Sequence, residues 1–522
     1  MKRKTLSLIL VLLTASTAVS AQTWTDSNGS SKLELTRDVY YGAEIEASVA
    51  NNHTPLWLHA NRYGLSSLER NNGYLRASII RPLSADSVRR WAIGYGIDVA
   101  LTYHHTARAI VQQAFLEARW LHGVLSVGSK EYPMQLKNNS LSSGSQTLGI
   151  NARPVPQVRL ALPDYWTLPF GRGFLHLKGH VAYGRKTDDN WQRQFTGSRS
   201  KHTEASLYHS KAGYLMIGNP DRFMPLSLEL GLEMAAEFGG TSYVPNAEGK
   251  LVPSVGKGGL RGMIDALIPG GADTGETTYQ NVSGNQLGSW MFRLNYDADN
   301  WTIRLYGDKF FEDHSAMLFV DYDGYGTGDA WSQKQRRRYL LYDFKDMMLG
   351  TELNMKYGRW LRDIVVEYVY SKYQSGPIYH DHTKNIADHI GGVDDYYNHY
   401  IYPGWQHWGQ VMGNPLYRSP LYNDNGKIEV RNNRFTALHL GLAGQPSERL
   451  AYRLLATWQE GLGTYPEPYT RKRHNVSLMV EAAYRLQNNW KITGSCAADF
   501  GSILGRSYGL QLKISKSGLL KL

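Results

Sequence analysis

Strict alternation of apolar and polar residues, in paired blocks separated by short polar turns, constrains this chain more than any other feature. From Trp290 onward, Trp290, Phe292, Leu294 and Tyr296 share one face, and Met291, Arg293, Asn295 and Asp297 share the other. After the turn Asp297-Ala298-Asp299-Asn300, Trp301, Ile303 and Leu305 resume the apolar face opposite Thr302, Arg304 and Tyr306. Side chains alternate sides along an extended strand, so period two around a tight polar turn predicts a β-hairpin. Val476 to Tyr484 and Trp490 to Phe500 repeat the pattern around Gln487-Asn488-Asn489, and Leu353 to Tyr357 and Trp360 to Tyr370 repeat it around Gly358-Arg359. Further strands are expected at Ile93 to Tyr103, Ala114 to Trp120, Val158 to Leu162, Leu226 to Met234, Leu438 to Leu442, Tyr452 to Trp458 and Tyr508 to Ile514.

Two facts turn this pattern towards a membrane. Past Ala21 no stretch approaches the roughly 20 apolar residues that a transmembrane helix requires. Yet the 522 residues include 35 Tyr and 14 Trp, and aromatic pairs flank the short turns: Tyr296 with Trp301, Tyr484 with Trp490, Tyr357 with Trp360. Amphipathic rings gather where a membrane meets water, and barrel walls carry girdles of them. The expected fold is therefore an all-β transmembrane antiparallel barrel, with about 16–20 strands at roughly 10 residues each. Mean hydropathy of −0.42 fits, because half of every strand faces a polar lumen. A soluble β-sandwich also alternates, but it has no reason to ring its turns with Tyr and Trp.

The N-terminus sets the compartment. Lys2, Arg3 and Lys4 precede the apolar stretch Leu6 to Ala18, and Val19-Ser20-Ala21 offers small residues for cleavage before Gln22. Residues 1–21 are expected to be a signal peptide and residues 22–522 one barrel domain in the outer membrane. The formal charge is +11; removing Lys2, Arg3 and Lys4 leaves +8. In an exported chain that basicity points away from nucleic acid and towards lipopolysaccharide phosphates or an acidic polysaccharide. The lone cysteine, Cys496, excludes an intramolecular disulfide and is expected to serve as a small hydrophobe on a strand.

Three segments depart from alternation and predict short helices that plug or cap the lumen: Thr54 to Tyr63 with Thr54 as N-cap, 260–268, and 339–348, where Leu340, Leu341, Phe344, Met347 and Met348 follow helical spacing.

Several motifs resemble the capsule assembly Wzi family. They are Leu141-Ser142-Ser143-Gly144 followed by Asn151-Ala152-Arg153-Pro154-Val155-Pro156-Gln157-Val158; Phe310-Phe311-Glu312-Asp313-His314-Ser315; Asp394-Asp395-Tyr396-Tyr397-Asn398-His399; and Gly404-Trp405-Gln406-His407-Trp408-Gly409, leading into Gly413-Asn414-Pro415-Leu416. They lie in order over most of the mature chain. The resemblance implies an 18-stranded outer-membrane barrel with helical elements closing its periplasmic side. It also implies a role in attaching capsular or similar exopolysaccharide downstream of the export pore, with no catalytic residue or cofactor to carry over. Since Leu522 rather than an aromatic residue is last, the closing strand is expected at Tyr508 to Ile514, with a short tail.

Candidate ligand contacts follow from residue type. Sugars present flat C–H faces beside hydroxyls, which aromatic rings and polar side chains match respectively. That nominates Tyr396, Tyr397, Asn398, Trp405 and Trp408, although a loop that merely packs its own aromatics into the lumen fits as well. Lys334, Arg336, Arg337 and Arg338 form a basic run that could attract an acidic polymer or simply face solvent. His380, Asp381, His382 and His389 lack any metal-ligand spacing, and no metal is expected. Glu312, Asp313 and His314 are neighbours on one chain and so are poorly placed to converge on one substrate atom; with Asn151, Arg153, Pro154, Pro156, Gly413, Asn414 and Pro415 they are expected to be structural. Arg153 is expected to fix a plug by pairing with a lumen carboxylate. The expected partners are capsular or other surface polysaccharide, outer-membrane lipid and lipopolysaccharide, and the barrel-assembly machinery during insertion. A carbohydrate-permeable porin and an outer-membrane hydrolase are the alternatives.

Overall fold

The computed structural model describes residues 34–219, 224–268, 284–312, 346–374 and 394–520, with short pieces at 323–325, 329 and 333–336. Eighteen strands form one antiparallel sheet: β1 Tyr40–Ala50, β2 Asn71–Arg81, β3 Trp91–Tyr103, β4 Ala109–Trp120, β5 Gly123–Ser129, β6 Gln157–Thr167, β7 Leu175–Arg185, β8 Leu207–Ile217, β9 Leu226–Phe238, β10 Asn285–Asp297, β11 Trp301–Glu312, β12 Met347–Met355, β13 Asp363–Tyr370, β14 Phe435–Gly444, β15 Leu450–Gly463, β16 Pro468–Arg485, β17 Trp490–Gly501 and β18 Ser507–Leu519. Each pairs with its neighbour in sequence, and β18 pairs with β1, from Tyr40 opposite Leu519 to Ala50 opposite Gly509. The sheet thus closes into an up-and-down barrel, which removes the unpaired edges that could not survive in lipid.

One rim carries tight turns, such as Leu121-His122 between β4 and β5 and Ala298 to Asn300 between β10 and β11. The other carries the long connections, including 51–70, 130–156, 186–206 and 371–434. The outer wall is apolar: Ile45, Val49, Leu75, Leu101, Leu160, Val480 and Leu510 are all exposed. Each such side chain favours an apolar surrounding over water by roughly 1.5–3 kcal/mol, which makes this surface a lipid contact. Cys496 is exposed among them on β17. At the tight-turn rim Trp91 stacks on Trp120 with centroids 5.9 Å apart, and Tyr296 lies 5.5 Å from Trp301. Tyr103, Phe500 and Tyr508 are exposed near the opposite rim. No described helix is long and apolar enough to cross a membrane.

The structure corrects several sequence expectations. The helix expected over Thr54 to Tyr63 is a single turn, α1 (Leu56–His59). Thr54 does not cap it; its hydroxyl donates to the Glu69 carbonyl at 2.9 Å. Positive φ at Asn61, Tyr63 and Gly64 then turns the backbone away from a helix. A second helix, α2 (Asp189–Thr196), was not anticipated; it buries Trp191 and Gln192. The third, α3 (Gly259–Leu267), lies where the pattern predicted one but neither plugs nor caps the lumen. It packs on the outside of the wall. The Tyr183 hydroxyl donates to the Met263 carbonyl at 2.7 Å, and Lys211, outward on β8, donates to the Ala266 and Leu267 carbonyls at the helix end. Of 339–348, residues 339–345 lie outside the described residues, while Met347 and Met348 open β12 as strand, paired with Lys309 and Asp308 of β11. β18 runs five residues past Ile514, because β1 offers partners as far as Leu519. All three described α-helices belong to long connections; the tight-turn rim carries the short 3₁₀ turns Leu83–Asp86 and Gln487–Asn489.

Candidate functional site

Inward positions carry carboxylates, and the long connections fold into the lumen to meet them. A buried carboxylate must be paired or hydrogen-bonded; here the inserted backbone supplies the donors. On β13, Glu367 accepts the Ser142 hydroxyl at 2.5 Å, the Ser143 N–H at 2.8 Å and the Tyr306 hydroxyl at 2.6 Å. On β11, Asp308 takes the Lys137 ammonium at 2.7 Å and the Gln146 N–H at 3.1 Å, while Glu312 accepts the Tyr397 N–H at 2.5 Å. On β17, Asp499 accepts the Leu56 N–H that opens α1, at 2.9 Å. Arg62 then bridges Glu46 of β1 at 3.7 Å and Glu481 of β16 at 3.6 Å, and Lys513 of β18 lies 3.7 Å from both Glu44 and Glu46. Connections 51–70, 130–156 and 394–434 together form a plug with a common buried core.

The family-like motifs meet inside this plug. The Tyr397 hydroxyl donates to the Gln146 carbonyl and accepts the Asn414 N–H at 3.1 Å. The Asn414 amide donates to the Gly144 carbonyl at 3.0 Å, and a side chain on Gly144 would run into Pro415. Gly413 has no room for a Cβ, because the Tyr397 hydroxyl and the Gln146 carbonyl already fill that space. Asn151 accepts the Asn61 N–H at 3.1 Å and donates to the Val411 carbonyl at 3.0 Å. Pro154 and Pro156 lie in the irregular lead-in that ends where β6 begins at Gln157.

Tyr396, Tyr397 and Trp405 are fully buried. Tyr396 and Tyr397 pack edge-on to Phe310 at 4.7 and 5.5 Å, Tyr397 also lies 4.1 Å from Tyr417, and Trp405 stacks with Tyr208 at 6.1 Å. Ring faces spent on packing are not open platforms for a sugar, so the expectation that these residues stack on ligand gives way to a structural one. Asn398 is likewise committed, its amide bonding the Val430 N–H and carbonyl at 2.8 and 3.0 Å. Glu312 clamps backbone rather than activating a substrate. Arg153 departs from expectation: no carboxylate pairs with it among the described residues. Its guanidinium lies 4.4 Å from the Trp408 ring and donates to the Thr106 hydroxyl. Burial lowers it to about 10, with Asp188 pulling the other way. Arg336 belongs to a small strand, Lys334–Arg336; Asp313, His314, Arg337, Arg338 and the cluster His380, Asp381, His382 and His389 lie outside the described residues.

Three plug histidines are held neutral. Burial lowers His59 to about 3, assisted by His53 and Arg62. Burial likewise lowers His399 to about 3, with Lys201 adding to it; its Nδ1 accepts the Ile401 N–H at 3.1 Å, which requires a bare ring nitrogen there. Burial lowers His407 to about 4 against the opposing pull of Asp188; its Nε2 accepts the Thr187 N–H at 3.2 Å.

The plug does not seal evenly against the wall. Beside β6 to β9 it leaves a half-open cleft with about 100 Å³ of water-accessible space, whose wall includes Lys130, Tyr132, Arg153, Arg159, Tyr214 and Trp405. Sequence reasoning missed Lys130, Tyr132, Arg159 and Tyr214. The available signal was a charged residue, Arg159, at an inward position between outward Val158 and Leu160.

A closed 18-stranded wall with an apolar exterior and a filled polar interior defines the class: an outer-membrane β-barrel with a plugged lumen. No protein-family model matches the chain, and no curated protein matches it. Among solved structures it is similar to Wzi of Escherichia coli, described as an outer-membrane protein involved in group 1 capsule assembly and a carbohydrate-binding β-barrel. The TM-score is 0.54 at 12% identity, over 93% of this chain and 86% of that one. OprD of Pseudomonas aeruginosa gives 0.42 at 8% identity over 93% and 96% of the two chains, and OccD3 of the same organism 0.43 at 11% over 94% and 93%. At such identities the likeness concerns the fold.

Proposed function

We propose that this protein holds or guides a surface polysaccharide, capsular or similar, at the outer membrane without chemically converting it. The observation that carries the reading is the lumen itself: connections 51–70, 130–156 and 394–434 fill it, and an aromatic and polar cleft remains at their edge. A filled barrel is poorly suited to passing solutes but well suited to presenting fixed contacts. A long polymer can engage several weak contacts at once, so modest individual affinities suffice. The family resemblance of the sequence motifs and the fold likeness to a carbohydrate-binding barrel support the same reading. Under it, residues 1–21 act as the export signal, the long-connection rim faces outward, and lipopolysaccharide surrounds the basic chain.

Deleting the gene should release polysaccharide into the medium while total polysaccharide stays unchanged; loss of synthesis or export would remove the attachment role. In planar bilayers the purified protein should give no large stable conductance, whereas a wide open channel would favour a carbohydrate-permeable porin. Capsule or lipopolysaccharide incubated with the protein should keep its mass, and any shortening would favour a hydrolase.

A further inference from the structure

The barrel neutralises most of its inward cations itself. Arg76 meets Asp98 at 2.5 Å, Arg293 meets Glu229 at 2.7 Å, Arg304 meets Glu352 at 2.9 Å and Arg453 meets Glu481 at 2.7 Å. Lys137–Asp308 and Lys186–Glu237 are fully buried pairs. The cleft beside β6 to β9 breaks this rule. Arg159 projects into it from β6 with its guanidinium 3.9 Å from the Tyr132 ring, and neither Arg159 nor Arg153 has a carboxylate partner among the described residues. Arg153 is 8% exposed and its Nε has no hydrogen-bond partner; Trp405 is fully buried and its indole N–H has none either. The wall carboxylate in the cleft, Glu233, is already taken by the Tyr214 hydroxyl at 2.6 Å and the Leu148 N–H at 3.3 Å.

Unsatisfied donors and unpaired guanidinium groups in a partly dehydrated site cost free energy until an acceptor arrives. The Arg159 guanidinium, lying on the Tyr132 ring, with the Arg153 charge nearby, makes a complementary surround for a negative group. A guanidinium fork matches the two oxygens of a carboxylate. The cleft's water-accessible space is about 100 Å³, below the roughly 300–1,000 Å³ typical of small-ligand sites, so it admits the acid group of a single sugar unit rather than a strand threading the barrel.

We propose that this cleft is a carboxylate-recognition site for an acidic sugar unit, with Arg159 and Arg153 as its cationic contacts. The inference rests on the polysaccharide reading above and narrows it to acidic polymers. It can be tested by titrating the purified full-length protein in detergent, calorimetrically, with an oligoglucuronate and with a neutral glucose oligomer of equal length. The acidic probe should bind about tenfold or more tighter, the effect of one charge-assisted contact. Arg159→Gln should reduce that preference to near unity, while Lys491→Gln, exposed on β17, should leave it unchanged. Arg159→Lys serves as the conservative variant and should retain part of the preference. Equal binding of both probes by the unaltered protein would overturn the acidic-site inference and leave polysaccharide binding standing. Loss of preference in Lys491→Gln as well would assign it to overall charge and overturn the site. Binding of neither probe would overturn both readings.

Discussion

The two sides of the lumen handle charge in opposite ways. Along β11 to β13, Asp308, Glu312 and Glu367 are each consumed by donors from the plug, which bonds directly to the wall. Along β6 to β9 the wall places Arg159 with no carboxylate partner among the described residues, and a cleft remains open. Where the molecule completes its own charge pairing, the residues serve the fold. Where it leaves cations uncompensated in a partly dehydrated space, the missing charge must come from elsewhere. That contrast gives the two sides different responses to perturbation.

Acid should loosen the plug most. An imidazole whose folded value lies below its free value of about 6.5 takes up protons on unfolding. The stability owed to neutral His59, His399 and His407 is therefore full above pH 6.5 and lost as pH falls towards their folded values of about 3 to 4. Each contributes a loss of roughly 2 kcal/mol by pH 5. Limited proteolysis across a pH series should show plug cleavage rising below pH 6 while the wall stays protected; a plug equally protected at pH 5 and pH 7 would refute this.

Removing one clamp should do almost as much. Glu367→Ala strips the acceptor from two donors in the plug and one on the wall, and the expected cost is about 3 kcal/mol. Denaturant unfolding in detergent and single-channel recordings should show a loosened plug with new conductance; unchanged traces would mean the wall carboxylates do not hold it. Gly413→Ala forces a methyl group against Tyr397 and Gln146 and should cost about 1–3 kcal/mol, read as a lower Tm. Smallest of all, Arg159→Gln should leave unfolding stability within about 0.5 kcal/mol of the parent, because no partner is orphaned. A large destabilisation there would show that the guanidinium serves the fold and would erase the contrast between the two sides.

The wall was legible in the sequence because strand orientation is a local property. Trp290 to Tyr306 announces its hairpin within seventeen residues, since each side chain's face follows from its neighbours. The plug was not, because its contacts span the chain: Tyr397 meets Gln146 and Asn151 meets Val411 across some 250 residues. The motif residues Asn151, Glu312, Gly413 and Asn414 could be singled out, but the reason for their company is this one buried junction. The aromatic run at 396–408 suggested ligand contact by composition alone, and composition does not distinguish rings facing a sugar from rings facing one another. For α3 the pattern foretold the helix but not its side of the wall. The cue lay in Lys211, an ammonium on an apolar strand face that needed carbonyl partners.

The cluster around Arg62 helps hold the cylinder shut. β1 and β18 are the ends of the sheet, and their pairing is the last join that makes a cylinder. On its inner side that join is finished by Arg62 and by the Leu56 amide, both brought by the inserted segment. The wall's own Lys513 and Gln511 also reach Glu46, so Arg62 adds a second cation at the suture. The inserted segment thus ties β1, β16 and β17 together across the last join.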